Sequence, residues 1–216
     1  MNRNFKIYLL VIIAVLIMMG STTSFAYFAI YVTGNGKTDV NIKSADRAEL
    51  VYKKGEDISL VINESNFSVG HGNLSGTTTS TVTLTNSSAI TEFYNVYFNI
   101  NINEYLYTTG TSKPELLLIV TAPDGTVIDE INGLTYTTID GVSGFDITTE
   151  TGLVTVAEDY EITTSSETVH EWIFNVVFIN LDTDQSANAG KLFEADAILQ
   201  SEEYILGNGW LSYIEE

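Results

Sequence analysis

The sequence predicts an all-β protein: an antiparallel two-sheet sandwich, jelly-roll or immunoglobulin-like, preceded by an N-terminal hydrophobic helix. Three observations lead there. Short runs rich in Val, Ile, Thr, Tyr and Phe recur along the chain, and several of them alternate apolar and polar residues with period two. Turn-forming clusters such as "APDGT" (122–126), "VGHGN" (69–73), "IDGVSG" (139–144) and "LGNGW" (206–210) separate runs. After residue 40 no stretch sustains a helical period long enough to define a helix.

The first element is a leader. "MNRNFK" is a short basic segment, and Ile7 to Met19 is an unbroken apolar run of about 13 residues, within the length of a signal-peptide core. As a helix it covers about 20 Å, short of the roughly 30 Å hydrocarbon of a bilayer. Ser24-Phe25-Ala26 offers small residues for cleavage between Ala26 and Tyr27. Residues 1–26 are therefore expected to be a signal peptide. The alternative is an uncleaved membrane anchor extended through Val32, with the N-terminus held inside by Arg3 and Lys6. Either way residues 27–216 form one exported domain, extracellular or on the cell surface. "YFAIYV" (27–32) is patterned as a strand, with Phe28, Ile30 and Val32 on one face.

The strands follow in order. "DISLVI" (57–62), "STVTLTNS" (80–87), "FYNVYFNINI" (93–102), "ELLLIVTA" (115–122), "TVIDEI" (126–131) and "EWIFNVVFINL" (171–181) are the candidates. Val82 and Leu84 share one face, opposite Thr81, Thr83 and Thr85. Val96, Phe98, Ile100 and Ile102 share another, opposite Asn95, Tyr97, Asn99 and Asn101. One buried face and one wet face is the signature of an antiparallel sheet. "ANAGKLFEADAILQ" (187–200) has an apolar spacing that allows a helix, but within it "LFEADAIL" alternates, and Phe193, Ala195, Ala197 and Leu199 on one face favour a strand.

Composition limits the function. The net charge is −19, and removal of the leader, which carries Arg3 and Lys6 and no acid, takes it to −21. Nucleic acid needs basic phosphate contacts, so it is not an expected partner. The 44% hydrophobic content is too high for a disordered polyelectrolyte. Cysteine is absent, which excludes disulfides, thiolate metal sites and a lipidated cysteine; an exported chain of this kind suits a Gram-positive-like bacterial surface.

Candidate chemistry is sparse. His71 and His170 are the two histidines, and neither sits in a metalloprotease spacing. "GVSGF" and "GNLSG" lack the nucleophile-elbow pattern, so no enzyme is expected. "NLDTDQSAN" (180–188) places Asp182, Asp184 and Ser186 at alternate positions, as a calcium loop begins, but Ala187 and Phe193 stand where that loop needs glycine and glutamate. Calcium is thus the one cofactor candidate. Four Asn-x-Ser/Thr sequons, at Asn63, Asn66, Asn73 and Asn86, arise from strand and turn composition. Tyr94, Tyr97, Tyr105, Tyr107 and Trp172 suggest either core packing, which strand periodicity favours, or a sugar-stacking platform.

Three segments carry a resemblance. Ser24-Phe25-Ala26-Tyr27-Phe28, "GNLSGTTTSTVTLTNSSAITEFYNVYFNI" (72–100) and "SANAGKLFEADAILQ" (186–200) resemble, in that order, segments of the TasA/camelysin family of Gram-positive surface and biofilm-matrix proteins. Ala29-Ile30 stands where that family commonly carries an acidic residue. The resemblance implies cleavage by a SipW-type signal peptidase, a jelly-roll-like ectodomain and, for fibre-forming members, donation of the mature N-terminal strand to the next subunit. Camelysin-type members are classed as metallopeptidases, for which this chain shows no ligand set. The leading expectation is therefore a surface or matrix structural protein that self-associates or binds other surface proteins. The alternative is an anchored or secreted binding module for glycan or calcium.

Overall fold

The computed structural model describes residues 39–43, 49–63, 70–86 and 89–201. The leader, the cleavage pair Ala26 and Tyr27, and the strand bearing Phe28, Ile30 and Val32 lie outside them. Among the described residues no helix is long and apolar enough to cross a membrane.

The described chain is all-β. In order it runs β1 (Asp39–Lys43), β2 (Glu49–Lys53), β3 (Ile58–Val61), β4 (Leu74–Thr85), β5 (Ile90–Asn103), β6 (Leu116–Thr121), β7 (Tyr136–Ile139), β8 (Val142–Asp146), β9 (Gly152–Thr164), β10 (Glu167–Phe178) and β11 (Leu192–Ser201), with a 3-10 turn at Ser186–Asn188. They form two antiparallel sheets. The larger has the order β1-β2-β4-β10-β6-β8-β7 and the smaller β3-β11-β5-β9. Consecutive strands β3 to β6 alternate between the sheets, so most pairings join residues distant in sequence.

The period-two faces explain how the sheets meet. Val82 and Leu84 of β4 and Trp172, Phe174, Val176 and Phe178 of β10 point inward from the larger sheet. Tyr94, Val96, Phe98 and Ile100 of β5 and Phe193, Ala195 and Ala197 of β11 point inward from the smaller one, and all belong to one buried cluster. Phe98 and Phe174 stack across the gap with centroids 5.6 Å apart. Burial of each such side chain is worth about 1.5–3 kcal/mol, so this interior dominates the stability of the domain.

The apolar run of β6 is buried on both sides. Leu116, Leu118 and Val120 enter the main core, whereas Leu117 joins Ile139, Val177, Ile179 and Leu181 in a second cluster. The hairpin β7–β8 supplies part of that cluster. Its two-residue turn, Asp140-Gly141, has φ of 50° and 84°, the positive pair that a type I′ hairpin requires.

Two expectations change. "TVIDEI" is not a strand: after the turn at Pro123-Asp124-Gly125, Val127 makes a single bridge to Thr121 and the chain then leaves the sheet. Asn95 stands on the outer face yet is only 6% exposed, because the ladder to β9 is irregular there and its Oδ1 accepts the Asp159 N–H at 2.8 Å. "LFEADAIL" lies within β11, a strand as expected.

Candidate functional site

The loop proposed for calcium follows β10 at one end of the domain. Asp182, Asp184 and Ser186 are all exposed there. Asp182 Oδ1 accepts the Gly70 N–H at 3.0 Å and Asp184 Oδ1 accepts the Ser186 N–H at 3.0 Å. The Ser186 hydroxyl first, and its N–H second, hold the Asp184 carboxyl below the usual carboxylate range. Among the described residues no group of three or more His, Asp and Glu is gathered closely enough to hold a metal ion. A cation on this loop would therefore depend on two carboxylates and on backbone or water oxygens.

Beneath that loop sits a polar centre that the sequence does not announce. Glu115, just before β6, has no exposed surface. Its Oε1 accepts from the Thr108 N–H and hydroxyl, both at 2.5 Å, and its Oε2 from Gln185 Nε2 at 2.8 Å and Asn188 Nδ2 at 3.0 Å. Four neutral donors thus solvate a buried carboxylate, which is what burial of such a group demands. Around it the Thr148 hydroxyl accepts from the Glu115 and Leu116 amides and donates to Asp146 Oδ1. Asp146 Oδ2 accepts from the Tyr107 hydroxyl at 2.7 Å, and burial followed by the Asp146 bond pushes that phenol up to about 12. The network joins three loops, and Glu115 is too enclosed to meet a substrate. Its role is to set the shape of this end.

A second cluster ties the sheets at their side. Lys54, in the β2–β3 connection, pairs with Asp196 of β11 at 2.5 Å and with Asp57 at 2.9 Å. Burial alone would lower its pKa, but the bonds to Asp196 and Asp57 outweigh this and hold it above the ordinary lysine value. Asp196 is 8% exposed, so the pair is partly sheltered.

The histidines do not meet. His170 lies on β10 facing the core, where its Nδ1 is 2.8 Å from the Tyr94 hydroxyl. His71 precedes β4, and its carbonyl accepts from Asn180 Nδ2 just beyond the opposite end of β10. Ten residues along an extended chain separate those points by roughly 30 Å. Of the aromatics singled out, Tyr94, Tyr105 and Trp172 are core residues, whereas Tyr97 and Tyr107 reach the surface in part.

No family model, curated protein or solved structure matches this chain.

Proposed function

We propose that this is an exported bacterial surface or matrix protein with a structural role, whose two-sheet body is a jelly roll. Residues 27–32 serve as its self-association strand. The nesting of strands supports the jelly-roll class: β11 lies between β3 and β5 in one sheet, and β10 between β4 and β6 in the other. The observation that carries the assembly role is the place of β1. Among the described residues it is the outermost strand of the larger sheet, paired with β2 alone in the register Asp39↔Lys53 to Lys43↔Glu49, and the segment 27–32 precedes it by a few residues in sequence. An apolar segment of alternating sequence next to an edge strand is suited to pair with a second copy, Phe28, Ile30 and Val32 filling a groove while main-chain bonds extend a sheet. In this reading a signal peptidase acts between Ala26 and Tyr27, and the net charge keeps unassembled subunits soluble.

The test is deletion of residues 27–32 from the mature protein. Loss of the large species on a native column, with a folded monomer remaining, is expected; assemblies of unchanged size would overturn the proposal. Sequencing the N-terminus of the protein recovered from cells should give Tyr27. Intact Met1 in the membrane fraction would instead assign an anchored monomer.

A further inference from the structure

The outer face of the smaller sheet has a chemistry of its own. Because Tyr94, Val96, Phe98 and Ile100 of β5 enter the core, Asn95, Tyr97, Asn99 and Asn101 stand on the opposite side. The register sets Ile198 of β11 and Thr155 of β9 on either side of Tyr97, and Asp196 and Leu153 on either side of Asn99. The Tyr97 hydroxyl is bonded to the Asn95 side chain, two positions away on the same face. Tyr97 is half-buried there, so part of its ring reaches solvent.

The neighbouring amides are fixed in orientation. Asn99 Nδ2 donates to Asn101 Oδ1 at 2.7 Å, and Asn101 Nδ2 donates to Asp196 Oδ1 at 3.0 Å. The other oxygen of Asp196 is held by Lys54. Leu153, 49% exposed, adds an apolar flank.

We propose that this face binds a neutral, hydroxyl-rich polysaccharide chain, with the Tyr97 ring as the stacking surface and the Asn99 and Asn101 amides as hydroxyl partners. An aromatic face matches the C–H face of a pyranose; Asn99 Nδ2 also reaches Asp196 Oδ1 at 3.4 Å, which leaves Asn99 Oδ1 as an acceptor and the second Asn101 Nδ2 hydrogen as a donor, side by side as vicinal hydroxyls require. Charge selects among glycans. Burial pushes the Tyr97 phenol upward, and nearby Glu158 and Asp159 push it the same way, so the rim is anionic. Lys54, bonded to Asp196 of this face, is committed to Asp196 and Asp57. An acidic glycan would meet repulsion from that rim, whereas a neutral one would not. The platform uses none of residues 27–32, so it stands or falls separately from assembly.

The experiment is calorimetric titration of the full mature protein with β-1,4-linked hexaoses of glucose and of N-acetylglucosamine, and with hexagalacturonate as the acidic counterpart. A neutral hexaose should bind with a dissociation constant below about 1 mM and hexagalacturonate more weakly. Tyr97→Ala should weaken neutral binding by about tenfold or more, and Tyr97→Phe, which keeps the ring, by less than about threefold. Asn99→Ala provides a second variant should Tyr97→Ala not fold, as judged by the fluorescence of the core residue Trp172. Absence of saturation by either neutral hexaose, preference for the acidic one, or unchanged affinity in a folded Tyr97→Ala or Asn99→Ala protein would overturn the proposal.

Discussion

The Tyr94 hydroxyl lies 2.8 Å from Nδ1 of His170, joining the two sheets through their interior. Trp172 Nε1 donates to the same oxygen at 2.9 Å. An indole N–H can only donate, so the arrangement that satisfies all three groups has the Tyr94 proton on the His170 side and His170 neutral, protonated at Nε2. Tyr160 packs edge-on against both the His170 and the Trp172 rings.

That geometry predicts a pH dependence. Burial holds His170 below the ordinary histidine pKa of 6.5. The unfolded chain then binds the proton more readily than the folded one, so the contribution is fully present above about pH 6.5. It declines as pH falls through 6.5 and levels off below the native value. The urea midpoint should therefore drop between pH 7.5 and 5.5, and His170→Asn should flatten that slope. An equal slope in both proteins would refute the assignment.

Tyr94→Phe tests the joint without a charge. It removes the acceptor of the buried Trp172 N–H and the donor to His170, and should cost about 1–3 kcal/mol in denaturant unfolding. Tyr160→Phe, whose ring contacts remain, should cost much less.

Glu115→Gln probes the polar centre. The carboxylate accepts four hydrogen bonds, whereas a glutamine must turn an NH₂ toward donors that are already pointing inward. A loss of about 2–3 kcal/mol is expected, since at least one buried donor is left without an acceptor. Loops 104–109 and 179–190 should then show faster amide exchange together, because Thr108, Gln185 and Asn188 share the one carboxylate.

Much of the fold was legible because one face of each long strand is buried. The alternation of Val82 and Leu84, of Val96, Phe98 and Ile100, and of Phe193, Ala195 and Ala197 carries through to the observed core. β9 escaped notice because its pairing with β5 breaks around Glu158 and Asp159, where acids interrupt the apolar period. β7 and β8 are short, and their Asp-Gly turn was seen without its flanking strands. The Glu115 centre could not be read at all. Its partners lie 7, 70 and 73 residues away, and nothing local distinguishes this glutamate from one at an exposed strand end. Alternation alone placed Tyr97 on the wet face beside Asn99 and Asn101, but the anchoring of those amides on Asp196, 95 or more residues away, could not be read.

Gly55 carries the last prediction. A Cβ at this position would lie 2.2 Å from Thr78 Oγ1 and 2.4 Å from the Thr79 carbonyl oxygen. The threonine side chain could turn away, but the backbone of β4 is held by its ladder to β10 and cannot. Gly55→Ala must therefore lift the β2–β3 connection, strain the Gly55 N–H bond to Ser80 and draw Lys54 away from Asp196. A loss of about 1–3 kcal/mol is expected, as for an overpacked site. The two effects share one segment and should not add. Lys54→Met should cost clearly less in the Gly55→Ala background than in the parent, a difference that a double-mutant cycle by urea unfolding would read directly. Full additivity would show that the connection accommodates the methyl group without moving Lys54.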